Sequence, residues 1–239
     1  YNTANGRSAL YSNTEGDKNT ANGRSALYNN ESGDYNTANG YYALFSNTTS
    51  SYRSGLGYSA NSLTGAYDNS TGVGYNGDPT AANQVRIGNN SVTSIGGYAN
   101  WSNLSDARFK ENIEENVKGL EFIEKLRPVT YNMSVHKVEQ FIENHYGEVD
   151  SSDWPSKYDK EQIRYTGFIA QEVEEAAKEL GYDFSGVDAP KNDKDFYGLR
   201  YAEFVVPLVK GMQEQQEQIA ALQRALESQQ QVIAALQEK

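Results

Sequence analysis

Small and apolar residues return along the first third of the chain with a fixed period. Glycines stand at positions 6, 23, 40, 57 and 74, each 17 residues after the last, and Ala9, Ala26, Ala43 and Ala60 keep the same interval. The run from Tyr1 to Leu10 recurs almost unchanged as Asn19 to Leu27 and again as Asn36 to Leu44. Helical repeats are longer and would not tolerate this density of Gly, Asn, Ser and Thr. Seventeen residues suit one coil of a β-solenoid, with two short strands per coil joined by Asn/Gly turns. The pattern therefore predicts a solenoid over residues 1–83. Alanine at inward positions makes a thin coil, which leaves Leu10, Leu27 and Leu44 in need of a partner surface, while Tyr11, Tyr28 and Phe45 point to the opposite face. Five coils at the inter-strand spacing span only ~24 Å, as expected for the end of a longer stalk or head. Residues 84–104 read as connector strands, Gln84–Gly88 and Val92–Ile95, leading to Trp101.

The texture changes at Ser105. Charged, helix-compatible stretches appear at 117–126 and 170–180, the second followed by Gly181 where a helix C-terminal glycine belongs. Strands are expected at 129–133 and 164–169, where β-branched and aromatic residues dominate, and Pro128 ends the helix before the first of them. Residues 105–201 thus form a small α+β domain. Within it, residues 134–161 are polar and poorly periodic and read as an insertion or long hairpin. The tail, 202–239, carries a heptad ladder. Val205, Met212, Ile219, Leu226 and Ile233 occupy a, and Leu208, Gln215, Leu222, Gln229 and Leu236 occupy d. Alternating gaps of three and four predict a left-handed coiled coil, with polar layers at Gln215 and Gln229 that weaken the seam and fix its register. At 1.5 Å per residue this is a rod of ~50 Å. The alternative is a single amphipathic helix lying on the domain, but so narrow a stripe over such a length calls for partner helices.

Composition narrows the function classes. The 239 residues are 37% hydrophobic, with a mean hydropathy of −0.75, so one large core is not expected. The net charge is −11, and only five basic and six acidic side chains lie in residues 1–104, leaving 16 basic and 26 acidic beyond. Such acidity argues against nucleic acid and anionic membrane as partners. There is no cysteine, hence no disulfide or thiolate metal site, and no apolar run approaches the ~18 residues of a membrane span. The chain opens mid-repeat without a signal peptide, which predicts a fragment of a longer protein.

Several motif look-alikes carry no chemistry. Gly72, Gly74 and Gly77 match a dinucleotide-binding pattern, but no helix opens at the third glycine, and these glycines keep the repeat phase. Asp193, Asp195 and Gly198 begin like a calcium loop, yet the twelfth position is Phe204 rather than a bidentate Glu. His136 and His145 lack partners at metal spacing and read as solvated or capping residues. No metal or cofactor is expected. Ser105 and Lys110 remain as a candidate nucleophile and base. Ser-Asp before a charged stretch is also an ordinary helix N-cap. Five residues along a helix or a strand hold two side chains apart, so the pair meets only across a turn or between chains.

The repeats resemble the head repeats of trimeric autotransporter adhesins, which are left-handed β-rolls packed three together. Ser105-Asp106-x-Arg108-x-Lys110-x-Asn112-Ile113 resembles the opening motif of the peptidase S74 family, the intramolecular chaperone domains of endosialidases and other phage tail spikes and fibres. The likeness continues through Leu126–Tyr131, Gly167–Val173 and Tyr197–Tyr201 and ends in the coil. It implies a mixed fold: a trimeric β-roll, a small α+β chaperone domain and a trimeric coiled coil. It also implies a homotrimer whose chaperone templates the fibre and then cleaves itself off. Ser105 is then the nucleophile and Lys110 the base, Leu104–Ser105 is the scissile bond, and Asp106, Arg108 and Asn112 support the site. A lysine serves as base only when its amine is neutral, through burial or a neighbouring cation such as Arg108. The alternatives are a fibre that keeps the domain as a C-terminal cap, and a glycan-active spike enzyme, for which the repeats offer no distinguished carboxylate pair. A virion or bacterial-surface location follows from the likeness, with a cell-surface glycan or receptor engaged through the upstream fibre.

Overall fold

The structure, a computed structural model, describes residues 1–65, 67–147 and 153–237. Residues 148–152 of the expected insertion and 238–239 of the expected coil lie outside them. The chain divides into two compact units, one comprising Tyr1–Asn100, Tyr131–Tyr165 and Pro190–Phe196, the other Trp101–Thr130, Thr166–Ala189 and Tyr197–Lys239.

The first unit is built on a β-solenoid. Strands β1 (Thr3–Asn5), β2 (Thr20–Asn22), β3 (Thr37–Asn39), β4 (Ser54–Leu56), β5 (Thr71–Val73) and β6 (Val85–Ile87) form one parallel sheet in sequence order. Residue i pairs with i+17 from Thr3↔Thr20 through Ser54↔Thr71, while the last step, Thr71↔Val85, is three residues shorter. Two expectations are corrected. Each coil has one three-residue strand, not two, because the rest turns through left-handed residues such as Ser25, Leu27 and Tyr35 (φ 57°, 51° and 57°), which extended strands exclude. Those turns fold Leu27 and Leu44 inward, where they are fully buried with Ala21, Ala26, Ala38 and Ala43, so the leucines form the chain's own core and need no partner surface. Of the expected connector strands, only Val85–Ile87 forms, as the sixth strand of this sheet.

Parallel stacking sets each residue above its own counterpart, so a side chain that bonds to a copy of itself satisfies a whole column. Asn30 Nδ2 donates to Asn13 Oδ1 (2.7 Å) and Asn47 Nδ2 to Asn30 Oδ1 (2.6 Å). In a second column Asn2, Asn19 and Asn36 each accept from the backbone N–H one coil on (2.8–2.9 Å). Both columns end at Arg53, buried in the coil, whose guanidinium donates to Asn47 Oδ1 (3.0 Å) and Asn61 Oδ1 (2.5 Å). Aromatic columns run outside. Tyr11, Tyr28 and Phe45 stack at 5.1 and 5.3 Å, close to the 4.7–4.9 Å strand spacing from which they derive. The repeated glycines have a steric cause. Gly23 sits at φ +130°, and a Cβ there would lie 2.5 Å from the carbonyl oxygen of Gly40 in the next coil.

Residues 134–147 contain a helix where an insertion or hairpin was expected. Helix α2 (Val135–Tyr146) starts at Ser134, whose Oγ accepts from Lys137 N (3.2 Å), and stops at Gly147 with φ +82°. The histidines have local roles. His136 Nδ1 lies 2.8 Å from Glu161 Oε1, its ring stacked on Tyr158, and His145 Nδ1 lies 2.7 Å from the carbonyl oxygen of Phe141.

The second unit has a compact aromatic core. Helix α1 (Leu120–Ile123), helix α3 (Ala170–Glu179) and helix α4 (Val205–Gln237) enclose Phe122, Val173, Ala176, Ala177, Phe184 and Phe204. Strands β7 (Val129–Tyr131) and β8 (Tyr165–Gly167) make one two-stranded sheet, β9 (Val187–Asp188) and β10 (Gly198–Leu199) another. The charged stretch 117–126 yields only the single turn of α1, whereas α3 matches its expected span and ends before Gly181 at φ +57°. Pro207 and Gly211 of α4 are buried, and Glu214 Oε2 accepts from Leu120 N (2.8 Å), so this face holds α1. The heptad a and d residues lie on other faces and stay open, Leu208 being 47% and Leu222 70% exposed. Among the described residues no helix is long and apolar enough to cross a membrane.

Two substitutions test the column logic. Gly23→Ala should lower stability by at least about 2 kcal/mol through strained φ and the clash with the next coil. Asn36→Ala should cost about 2–4 kcal/mol by orphaning buried backbone groups. Exposed Glu15→Ala, measured in the same thermal melts, should change stability by less than about 0.5 kcal/mol.

Candidate functional site

Ser105 and Lys110 are brought together by a turn that the intervening residues build. Asp106 is extended (φ −75°, ψ 130°), and its Oδ1 accepts from Arg108 N at 2.9 Å, capping a single 3₁₀ turn, Ala107–Phe109. The N-cap is thus Asp106 rather than Ser105, which frees the serine hydroxyl for another partner. Phe109 N and Lys110 N return to the carbonyls of Asp106 and Ala107 (3.1 and 3.2 Å), and Lys110 leaves the turn extended. Its Nζ then lies 2.9 Å from Ser105 Oγ within the same chain. Nζ donates in this arrangement; a neutral amine at the same distance would accept the hydroxyl proton.

Electrostatics around the pair are already assigned. Arg108 forms a fork on Asp106, Nε reaching both oxygens (3.0 and 3.1 Å) and Nη2 reaching Oδ2 (2.6 Å). This pairing holds the Asp106 carboxyl below its usual value and raises the Arg108 guanidinium. The Arg108 charge is therefore engaged by Asp106. In the single chain both Ser105 and Lys110 are exposed, as are the apolar neighbours Trp101, Leu104, Phe109 and Ile113. Asn112 adopts φ +50°, ending the turn.

The later sequence motifs hold the domain together rather than meeting this turn. Arg127 pairs with Glu172 (2.5 Å), linking Leu126–Tyr131 to Gly167–Val173. The Tyr201 hydroxyl accepts from Phe168 N (3.1 Å), and Arg200 bonds Asp188 (2.5 Å) and the carbonyl of Ser185 (2.6 Å).

A second polar cluster, in the first unit, was not anticipated. A pocket of about 300 Å³ is lined in part by Tyr75, Asp78, Arg86, Glu139, Trp154 and Lys157. Burial pushes the Asp78 carboxyl up to about 6, although it accepts from Ser62 N (2.6 Å) and Leu63 N (3.4 Å). Beside it, Asp195 has a 2% exposed side chain and is met by Thr80, Gln84 and Arg86. Sequence spacing offers no trace of this contact, because Thr80 and Asp195 are 115 residues apart. Among the described residues no group of His, Asp and Glu comes together as a metal site.

Residues 105–182 match the Peptidase S74 family model, described as chaperone of endosialidase. The match opens on Ser105 and takes in the turn, α1, α2 and α3. No curated protein and no solved structure matches the chain.

A pH prediction follows from Asp78. A carboxyl whose folded pKa is raised favours the fold when protonated, so its contribution is retained at acid pH and lost as pH rises through about 6. Asp78→Asn should gain on the wild type by about 1–1.5 kcal/mol between pH 5 and pH 8 in denaturant titrations. A pH-independent difference would remove Asp78 as the titrating group.

Proposed function

We propose that this chain belongs to a trimeric, fibre-forming protein of a virion or bacterial surface, and that residues 105–239 assemble and fold the solenoid, then sever themselves at Leu104–Ser105. The chaperone role rests on the family match across 105–182. The self-cleavage reading is carried by one observation, Lys110 Nζ at 2.9 Å from Ser105 Oγ on a turn flanked by exposed apolar residues.

The chemistry is an acyl transfer. Ser105 Oγ adds to the Leu104 carbonyl as Lys110 takes the hydroxyl proton; the C–N bond breaks and the Ser105 amine leaves protonated. Water then hydrolyses the ester, giving a Leu104 carboxylate and restoring the Ser105 hydroxyl. Asp106 holds the turn, Arg108 locks Asp106, and Asn112 ends the turn.

Trimerisation supplies what the single chain lacks. The open seam of α4 joins three helices, and partner chains cover Leu104, Phe109 and Ile113, keeping water from the lysine. Cleavage then reports correct assembly. A retained C-terminal cap is the second reading, favoured by the bonds that Asn192 and Asp195 make to the last solenoid coil.

Folded wild-type chain should give fragments of 104 and 135 residues, the second starting at Ser105. Ser105→Ala and Lys110→Ala should stay intact and still trimerise, as read by gels and N-terminal sequencing. A different start site removes Ser105; cleavage in both variants removes the dyad; an intact wild type favours the retained cap.

Replacing Ile219 and Leu226 by Asp puts charge into the seam and should abolish trimers, with cleavage slowed at least about a hundredfold. A monomeric variant that cuts at the normal rate would separate the chemistry from assembly.

A further inference from the structure

The bond between Leu104 and Ser105 is not the only link between the two parts of the chain it joins. Loop Pro190–Phe196, from beyond that bond, packs with the last solenoid coil in the same compact unit. Its centre is the Asp195 carboxylate. Oδ1 accepts from Thr80 Oγ1 at 2.6 Å and from Phe196 N at 2.9 Å; Oδ2 accepts from Lys191 N at 3.1 Å and from Gln84 Nε2 at 3.4 Å. Arg86 Nη2 stands 3.7 Å from Oδ1. Gln84 is itself fixed by Thr80 N and Ala81 N (3.0 and 3.2 Å), and Asn192 Nδ2 donates to the Thr80 carbonyl at 2.9 Å. A buried carboxylate with donors on both sides is costly to expose alone and costly to leave unpaired. Weaker contacts surround it. Tyr75 meets Trp154 edge-on at 5.4 Å, and the hydroxyls of Tyr67 and Tyr146 lie 3.3 Å apart.

We propose that the last solenoid coil, through Thr80, Gln84 and Arg86, is a docking site for the Pro190–Phe196 loop, and that Asp195 keeps residues 105–239 bound after the Leu104–Ser105 bond is cut. This rests on the reading that the bond is cut, and it changes what cutting does. Cleavage removes the covalent link, and departure of the chaperone then waits on the Asp195 anchor. The shorter last step of the solenoid fits this role, because a standard coil is a template for another coil, whereas this one presents side chains to a loop from downstream.

The test cuts the chain without using its own chemistry. Full-length Ser105→Ala protein receives a site-specific protease sequence within the exposed connector 96–103 and a tag at one end, and is folded before cutting. The two pieces should co-elute on size exclusion and exchange slowly. Asp195→Ala should release the untagged piece at least about 30-fold faster, and Asp195→Asn, which keeps an acceptor for Thr80 but loses the charge facing Arg86, should fall between. If Asp195→Ala does not fold, Thr80→Val with Arg86→Gln tests the same anchor from the fibre side. Separation on cutting with Asp195 intact, or equal retention in every variant, overturns the proposal. Neither outcome bears on whether Ser105 cuts the native chain.

Discussion

A lysine can accept a proton from serine only while its amine is neutral, and the proposed self-cleavage depends on how that state is reached. The turn at 105–112 solves the geometric half of the problem within one chain, with Lys110 Nζ 2.9 Å from Ser105 Oγ. It does not solve the solvation half. Asp106 engages Arg108, so no unpaired guanidinium stands beside the lysine, and the surrounding apolar residues are open to solvent. In the proposed reading the site becomes active when partner chains cover Leu104, Phe109 and Ile113. The apolar a and d residues of α4, left outside because Pro207, Gly211 and Glu214 turn another face to α1, are in the same reading the means of bringing those chains together.

The solenoid gives the proposed gating a use. Its stability lies in columns whose members are 17 residues apart, as in Asn13–Asn30–Asn47, so a slip of one residue empties every column at once. Neighbouring coils template one another, but nothing in the repeat marks where the first coil of one chain should meet those of the others. A coil that gathers chains at one end raises their effective concentration and limits the registers open to them. In the proposed reading, cutting afterwards would remove the quickest route back and give kinetic stability. Arg53 ends the asparagine columns, and only the last step, to Val85, departs from the 17-residue interval.

How much of this was legible in the sequence depended on how local the cause was. The 17-residue glycines announced the coil because each is required by the next coil's backbone. The destination of Leu27 and Leu44 was misjudged because alternation assumes extended chain, and the left-handed turn residues break that assumption. Helix α2 was missed although Ser134, the spacing of Val135, Val138, Phe141 and Ile142, and Gly147 were all present; its short apolar stripe was diluted by charged neighbours. The five-residue Ser105–Lys110 interval told only that a turn or a second chain was needed, and the Asp106 cap selects the turn. Asp195 read as a failed calcium loop because its partners, Thr80 and Gln84, are remote in sequence.

In the proposed reading the dyad forms within one chain and works only in the assembly. Co-folding Ser105→Ala chains with Lys110→Ala chains tests it most directly, because mixed trimers hold intact serine and intact lysine but never on the same chain. With wild-type trimers cleaved in parallel, mixed trimers should stay whole over the time in which wild type is fully cut. Cleavage of the Lys110→Ala chains in those mixed trimers would show a base supplied by a neighbour and contradict it.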